Sequence, residues 1–282
     1  MHPSRLTRSL RFYFITDHQT PALSALDQVR AALQGGASFV QYRNKAFQLS
    51  AYEELRRIRN VCRINGVPFV INDDVLLAKA IDADGVHLGQ EDGNPREART
   101  ILGPAALIGI SVSTLGELGR TDLAPCDYIG CGPVYATGTK ADAKPVRGIA
   151  GLQEIVNQVS LPVVAIGGIT AARVEDCFRA GGAGVAVISA VSRATDPIAA
   201  AAQLGTACGC ETRPTLKDGW QDEFKLIRAL IAPAQQRSSE DDTIIPPGDD
   251  AGRLASLAFP VITTDTQREG THFQAAWLSP ET

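Results

Sequence analysis

The chain has 282 residues, of which 44% are hydrophobic and 21% charged, and its formal net charge is -4. This composition is typical of a folded protein with one sizeable core and a smaller addition, and it argues against disorder. A slightly acidic chain offers no basic face, which excludes nucleic acid and anionic membranes as dominant partners. No apolar stretch approaches the ~20 residues needed to cross a bilayer, and no signal peptide is evident, so we expect a cytoplasmic protein.

Eight short apolar runs with strand character alternate with segments of helical spacing. The runs lie at 12–15, 39–42, 69–71, 86–88, 107–110, 128–130, 163–166 and 185–188, and clear helical segments lie at 23–33, 52–64, 151–159 and 171–180. Strand followed by helix, repeated eight times, predicts an α/β protein built as a (β/α)₈ TIM barrel. Charged, hydroxyl or glycine residues follow most runs, so we expect the chemistry at the C-terminal mouth of the barrel.

Four parts are predicted along the chain: an N-terminal extension at 1–10, the barrel at 11–205, a linker at 206–219 and a second unit at 220–282. The second unit offers one short helical run and one strand-like run. Its few apolar positions predict a short, incomplete α+β appendage without an independent core.

A cluster of cations follows the second strand. Alternation along an extended chain sends Gln41, Arg43 and Lys45 to one side. An amide, a guanidinium fork and an ammonium group at the active mouth favour an anion site over a solvated loop start.

Four carboxylates follow the third and fourth strands, at Asp73, Asp74, Glu91 and Asp92. Two such charges about 4 Å apart repel by about 4 kcal/mol at an effective dielectric of 20, so converging carboxylates favour a bound cation, and oxygen ligands favour Mg²⁺. Helix capping is the alternative for Asp73 or Asp74 and for Asp92 or Asn94. We expect capping to account for some of the four, not for all.

Hydroxyl and glycine residues follow the later strands and indicate phosphate contacts. The hydroxyl and glycine residues are Ser111, Thr137, Thr139, Gly167, Gly168 and Ser189, and Lys140 and Ile188 lie beside them. Histidine is scarce, and His87 lies inside a strand, where we expect a structural imidazole. The six cysteines lack metal or redox spacing and predict isolated thiols. These residues together favour electrostatic catalysis without a protein nucleophile.

The motifs at 41–45, 71–74, 85–92, 137–140 and 166–169 together resemble thiamine-phosphate synthase, over residues 11–204. That family is a transferase that joins a hydroxymethylpyrimidine diphosphate to a thiazole phosphate and releases pyrophosphate. The resemblance implies pyrimidine diphosphate contacts at Gln41, Arg43, Lys45, Asn72, Ser111 and Lys140, and thiazole phosphate contacts at Thr137, Thr139, Gly168, Ile188 and Ser189. It also implies Mg²⁺ ligands at Asp73 and Asp92, and catalytic stabilisation of the leaving group by Arg43, Lys45 and Lys140.

Two alternatives stay open. A thiazole tautomerase-like or regulatory relative shares the barrel but needs neither the cations nor the carboxylate pair, so the complete set favours the synthase.

The segments at 224–227, 248–251, 263–266 and 269–273 resemble the N-terminal end of thiamine-monophosphate kinase. We expect a partial kinase-like segment without a complete ATP site, or else a dimerisation or kinase-recruiting segment. The choice of plain or carboxylated thiazole phosphate and the formation of a homo-oligomer are also left open.

Overall fold

The computed structural model describes residues 3–19, 23–139 and 145–216. These ranges belong to the first of two units in the chain, Met1–Ile231. The second unit, Ala232–Thr282, lies outside the described residues, as do Lys140 and the predicted appendage at 220–282.

Eight parallel strands close into a barrel, with β8 paired to β1. The strands are β1 Phe12–Ile15, β2 Phe39–Tyr42, β3 Phe69–Asn72, β4 Gly85–Leu88, β5 Leu107–Ser111, β6 Tyr128–Cys131, β7 Val163–Ile166 and β8 Gly184–Val187. Each follows its predicted run to within one residue at either end. The (β/α)₈ prediction is confirmed.

Helices surround the strands. The α-helices of the described residues are α1 Pro3–Ser9, α2 Ala25–Gln34, α3 Tyr52–Ile64, α4 Val75–Ala80, α5 Pro95–Leu102, α6 Leu115–Arg120, α7 Gly148–Val156, α8 Val174–Arg179, α9 Ser189–Ser192 and α10 Pro197–Ala207. The alternation of strand residues divides the core in two: Phe12 and Phe14 of β1 face the helices, whereas Tyr13 faces the barrel interior.

Three consecutive helices, α4 to α6, have side-chain caps at their N-termini, and two of these caps decide roles that the sequence left open. Asp74 accepts a hydrogen bond from the first turn of α4, Asn94 from that of α5 and Thr114 from that of α6. A side-chain oxygen at this position satisfies an otherwise unpaired backbone amide. Asp73 and Asp92 are therefore not the caps of these helices.

The N-terminal end of the barrel is closed by α1. Only an extension is predicted for residues 1–10, yet Pro3–Ser9 form a helix, and its Leu6 is buried together with Leu10, which follows the helix, against the barrel interior. The spacing of these two leucines, four residues apart, is the sequence signal for a helix with one apolar side. Sealing this end leaves the opposite mouth as the open one.

Leu10→Ala is expected to lower the free energy of unfolding by about 3 kcal/mol, because Leu10 is fully buried and its loss leaves a cavity. Urea denaturation measures the change, with exposed Arg5→Ala on the neighbouring α1 as the control. Equal stability of the two variants would show that Leu10 does not help to seal this end of the barrel.

The start of the predicted linker packs on the barrel. Its first residues complete α10, Cys208 is fully buried, and the Arg213 guanidinium donates to the carbonyls of Leu33 and Ala37 at 3.3 and 2.9 Å. Residues up to 216 therefore pack on the barrel. The sequence predicted a linker here because this stretch has no hydrophobic periodicity. None of the helices in the described ranges has the length and hydropathy that a bilayer crossing requires.

Candidate active site

A cavity of about 410 Å³ opens at the C-terminal ends of the strands. Every predicted site residue among those described lines it: Gln41, Arg43, Lys45, Asn72, Asp73, Asp92, Ser111, Thr137, Thr139, Gly168, Ile188 and Ser189. The barrel brings them together because the strand ends of a parallel barrel all meet at one rim. Lys140 lies outside the described residues.

Arg43 places a nearly buried cation in this cavity, with 7% of its surface exposed. Its backbone is held to the end of β1: the Arg43 amide donates to Thr16 Oγ1 at 2.9 Å, and the Thr16 hydroxyl donates back to the Arg43 carbonyl. Within the described ranges no carboxylate pairs with its guanidinium. A buried cation without a counter-ion favours an anionic ligand.

Asp73 and Asp92 approach each other on the rim. Burial, reinforced by the neighbouring Asp92 carboxyl, raises the pKa of Asp73 to about 6, and Lys45 and Asn72 act in the opposite direction. Asp73 adopts φ 65°, and its backbone amide donates to the His87 carbonyl. Because of this left-handed backbone, the side chain of Asp73 points in a different direction from that of Asp74, which caps α4.

The carboxylate pair fits a magnesium ion. Mg²⁺ in enzymes is commonly held by one or two carboxylates, with water and substrate phosphate completing the shell. Asp92 is fixed by the Gly89 amide, which donates to its Oδ2 at 3.0 Å, and a Cβ at Gly89 would lie 2.2 Å from that oxygen. In the described part of the chain no group of three or more His, Cys, Asp or Glu side chains converges on a possible metal site.

The opposite side of the cavity is built from glycine and hydroxyl groups. Gly167 and Gly168 have φ 100° and 61°, a conformation that frees backbone amides for an anion. A Cβ at Gly168 would lie 2.4 Å from the Ala136 carbonyl oxygen, so the loop after β6 packs directly on this turn. The Thr139 hydroxyl donates to Ser189 Oγ at 3.0 Å, which joins the loop to the end of β8.

The floor of the cavity carries a hydrogen-bond chain that the sequence did not reveal, here called the floor relay: Gln41, Tyr13, Tyr128, His87 and Ser111. Gln41 Nε2 donates to the Tyr13 hydroxyl at 2.6 Å, and the two tyrosine hydroxyls lie 2.9 Å apart. Nδ1 of His87 lies 3.2 Å from the Tyr128 hydroxyl, and its Nε2 lies 3.0 Å from Ser111 Oγ. Burial raises the pKa of both tyrosines above the ordinary value.

Both ring nitrogens of His87 have partners, which agrees with the structural imidazole predicted from its place in a strand. His87 is half-buried and lines the cavity. Its place at the cavity could have been predicted from its position in β4. Side chains alternate between the two sides of a strand, so His87 lies on the same side as Gly89, next to the polar residues that follow β4.

A parallel barrel whose mouth combines a buried cation, a carboxylate pair and glycine-hydroxyl loops defines an enzyme that acts on phosphorylated small molecules. The family model described as thiamine monophosphate synthase matches residues 12–191. The chain belongs to this family, and the resemblance seen in the barrel sequence is confirmed.

Individual relatives match the same part of the chain. The thiamine-phosphate synthase of Azorhizobium caulinodans is 44% identical over 199 residues, which cover 70% of this chain and 94% of the relative. That of Bacillus velezensis is 42% identical over 197 residues, covering 68% and 88%. The solved thiamine phosphate pyrophosphorylase from Pyrococcus furiosus is 38% identical, with a TM-score of 0.66, and covers 72% of this chain and 98% of its own.

Proposed function

We propose that the barrel is a thiamine-phosphate synthase, which condenses a hydroxymethylpyrimidine diphosphate with a thiazole phosphate to give thiamine phosphate and pyrophosphate. The observation that carries this proposal is the buried guanidinium of Arg43 in one cavity with the carboxylates of Asp73 and Asp92. A diphosphate ester with its cation suits both groups at once.

The proposed roles follow from position. Arg43 and Lys45 bind the diphosphate, and Lys140, outside the described residues, keeps the same predicted role. Asp73 and Asp92 would hold Mg²⁺, which supplies neutralising charge for the departing pyrophosphate. Thr137, Thr139, Gly168, Ile188 and Ser189 would hold the thiazole phosphate, and Gln41, Asn72 and Ser111 would contact the pyrimidine diphosphate.

The reaction needs no protein nucleophile. The substitution is dissociative: the bond between the methylene carbon and the diphosphate oxygen breaks first, and its electron pair leaves with pyrophosphate. The pyrimidine ring stabilises the methylene cation that remains, and the thiazole nitrogen then supplies the pair for the new carbon–nitrogen bond. No proton has to move in this exchange. The task left to the protein is to bind and orient both substrates and to stabilise negative charge on the leaving group, which the cations of the cavity are suited to do.

The test mixes both substrates with Mg²⁺ and measures thiamine phosphate and pyrophosphate, which should form in equal amounts and stop when the cation is chelated. Thiazole isomerisation without condensation would support the tautomerase-like alternative instead. A parallel reaction with ATP looks for thiamine diphosphate. Its absence would remove kinase activity from the roles open to residues 220–282, which stay a predicted kinase-like, dimerising or recruiting segment. The cytoplasmic location and a homo-oligomer also stay predictions.

Magnesium is expected to raise the melting temperature more at pH 8 than at pH 5. The pKa of Asp73 is about 6, above its usual value, so the metal-free fold loses stability as pH rises toward 6 and the carboxylates ionise against each other. Cation binding needs both groups ionised and offsets that loss only above this range. Thermal unfolding with Mg²⁺, against sodium chloride of equal ionic strength, measures the difference. An equal shift at both pH values would contradict a site at Asp73 and Asp92.

A further inference from the structure

The floor relay connects two predicted substrate contacts, Gln41 and Ser111, through Tyr13, Tyr128 and His87, to which no role is yet assigned. Tyr13 and Tyr128 are buried, with 2% and 0% of their surface exposed. Buried polar groups cost stability unless each finds a partner, so a continuous chain of five under a ligand cavity is a constrained arrangement.

The relay has a direction, because the atom of Gln41 that contacts Tyr13 is Nε2, which can only donate. Gln41 Nε2 gives a hydrogen to the Tyr13 oxygen, so the hydrogen of Tyr13 is available to Tyr128. Tyr128 is fully buried, and its own hydrogen needs an acceptor, which is His87 Nδ1 at 3.2 Å.

The direction fixes the far end of the relay as well. When His87 Nδ1 accepts, the ring hydrogen is on Nε2 and is donated to Ser111 Oγ at 3.0 Å. Ser111 thereby keeps its hydroxyl hydrogen for a ligand. At the near end, the carbonyl oxygen of the Gln41 amide is the acceptor that this residue can offer to the cavity it lines.

Glycines on the neighbouring strands make room for the relay. A Cβ at Gly109 would lie 2.4 Å from His87 Nδ1 and 2.5 Å from the Tyr128 hydroxyl oxygen. A Cβ at Gly130 would lie 3.1 Å from His87 Cε1. A side chain at Gly109 would therefore force apart the two atoms whose contact transmits the direction.

We propose that Tyr13, Tyr128 and His87 are positioning residues that present an acceptor at Gln41 and a donor at Ser111. The cavity floor then selects a ring with an amino donor and an unprotonated ring nitrogen, and rejects the oxo ring, in which donor and acceptor are exchanged. The identity of the ring as an aminopyrimidine rests on the proposed function. The direction of the hydrogen bonds in the relay is independent of the proposed function.

The first test needs no substrate. In ¹⁵N-histidine-labelled protein, NMR should find His87 as the Nε2–H tautomer, and Tyr128→Phe should convert it to a mixture because Nδ1 loses its donor. Tyr52→Phe is the matched control, since its hydroxyl donates to the Ala80 carbonyl at the surface and lies outside the floor relay. The Nδ1–H tautomer in the unaltered protein, or no change in Tyr128→Phe, would overturn the proposal.

The second test is kinetic. Tyr128→Phe should raise KM for the aminopyrimidine diphosphate about tenfold, leave KM for the thiazole phosphate unchanged, and lower the preference for the amino over the oxo substrate about tenfold. Tyr13→Phe should act in the same direction, because it releases the Gln41 amide. Equal changes in both KM values with an unaltered preference would show a structural role only. If the unaltered enzyme makes no thiamine phosphate, the proposed function fails, and the tautomer measurement still decides the relay.

Discussion

Arg43→Met is expected to lower kcat/KM for the pyrimidine diphosphate by about a hundredfold or more, since a preorganised cation in a water-poor site is worth several kcal/mol to a developing anion. The free energy of unfolding should stay the same or rise. The free protein holds the Arg43 guanidinium nearly buried and, within the described ranges, without a carboxylate partner, so removing it relieves a desolvation cost. Steady-state kinetics and urea denaturation measure the two effects.

Arg99→Met is the matched control. The Arg99 guanidinium donates to the Asp127 carboxylate at 2.7 Å and to backbone carbonyls that include those of Ala106 and Pro125, and Arg99 does not line the cavity. Its loss should lower the free energy of unfolding by about 2 kcal/mol or more, because several acceptors lose their donor, while kcat/KM of the folded fraction stays unchanged. If Arg43→Met behaved like Arg99→Met, the guanidinium would be part of the scaffold and not of the anion site.

Much of the barrel was predictable because its signals are local. A buried parallel strand reads as a short apolar run, and the residues after it face the active mouth, so the position of Arg43 and Lys45 followed from the end of β2 alone. The division of labour between Asp73 and Asp74 was not predictable. Neighbouring aspartates have equal capping propensity, and the left-handed φ of Asp73 decides which one turns toward the cavity.

The floor relay was beyond the sequence for a different reason. Its contacts join β1, β2, β4, β5 and β6, and they form only because the strand register places His87 beside Gly109. Neither a histidine nor a glycine inside a strand signals such a pairing by itself. The packing of Cys208 and Arg213 on the barrel was not predicted either, because contacts between residues distant in the sequence leave no local pattern in a stretch without hydrophobic periodicity.

Asp73→Asn and Asp92→Asn are each expected to lower kcat by about a hundredfold or more, because each removes one of two charged oxygen ligands proposed for the cation. Higher Mg²⁺ should restore part of the activity, since a weakened site can still be filled by mass action. The same addition should not restore Arg43→Met, which leaves both carboxylates in place. A titration of rate against Mg²⁺ concentration separates the two cases.

Asp74→Asn provides the control for charge and position. It removes the same charge one residue away, and asparagine caps a helix as well as aspartate does, so α4 should keep its cap. Its rate, its Mg²⁺ dependence and its melting temperature in Mg²⁺ should match those of the unaltered protein, whereas Asp73→Asn and Asp92→Asn should both lose the shift in melting temperature. If all three variants lost activity alike, the total negative charge at the barrel mouth would explain the loss, and a cation held specifically between Asp73 and Asp92 would not.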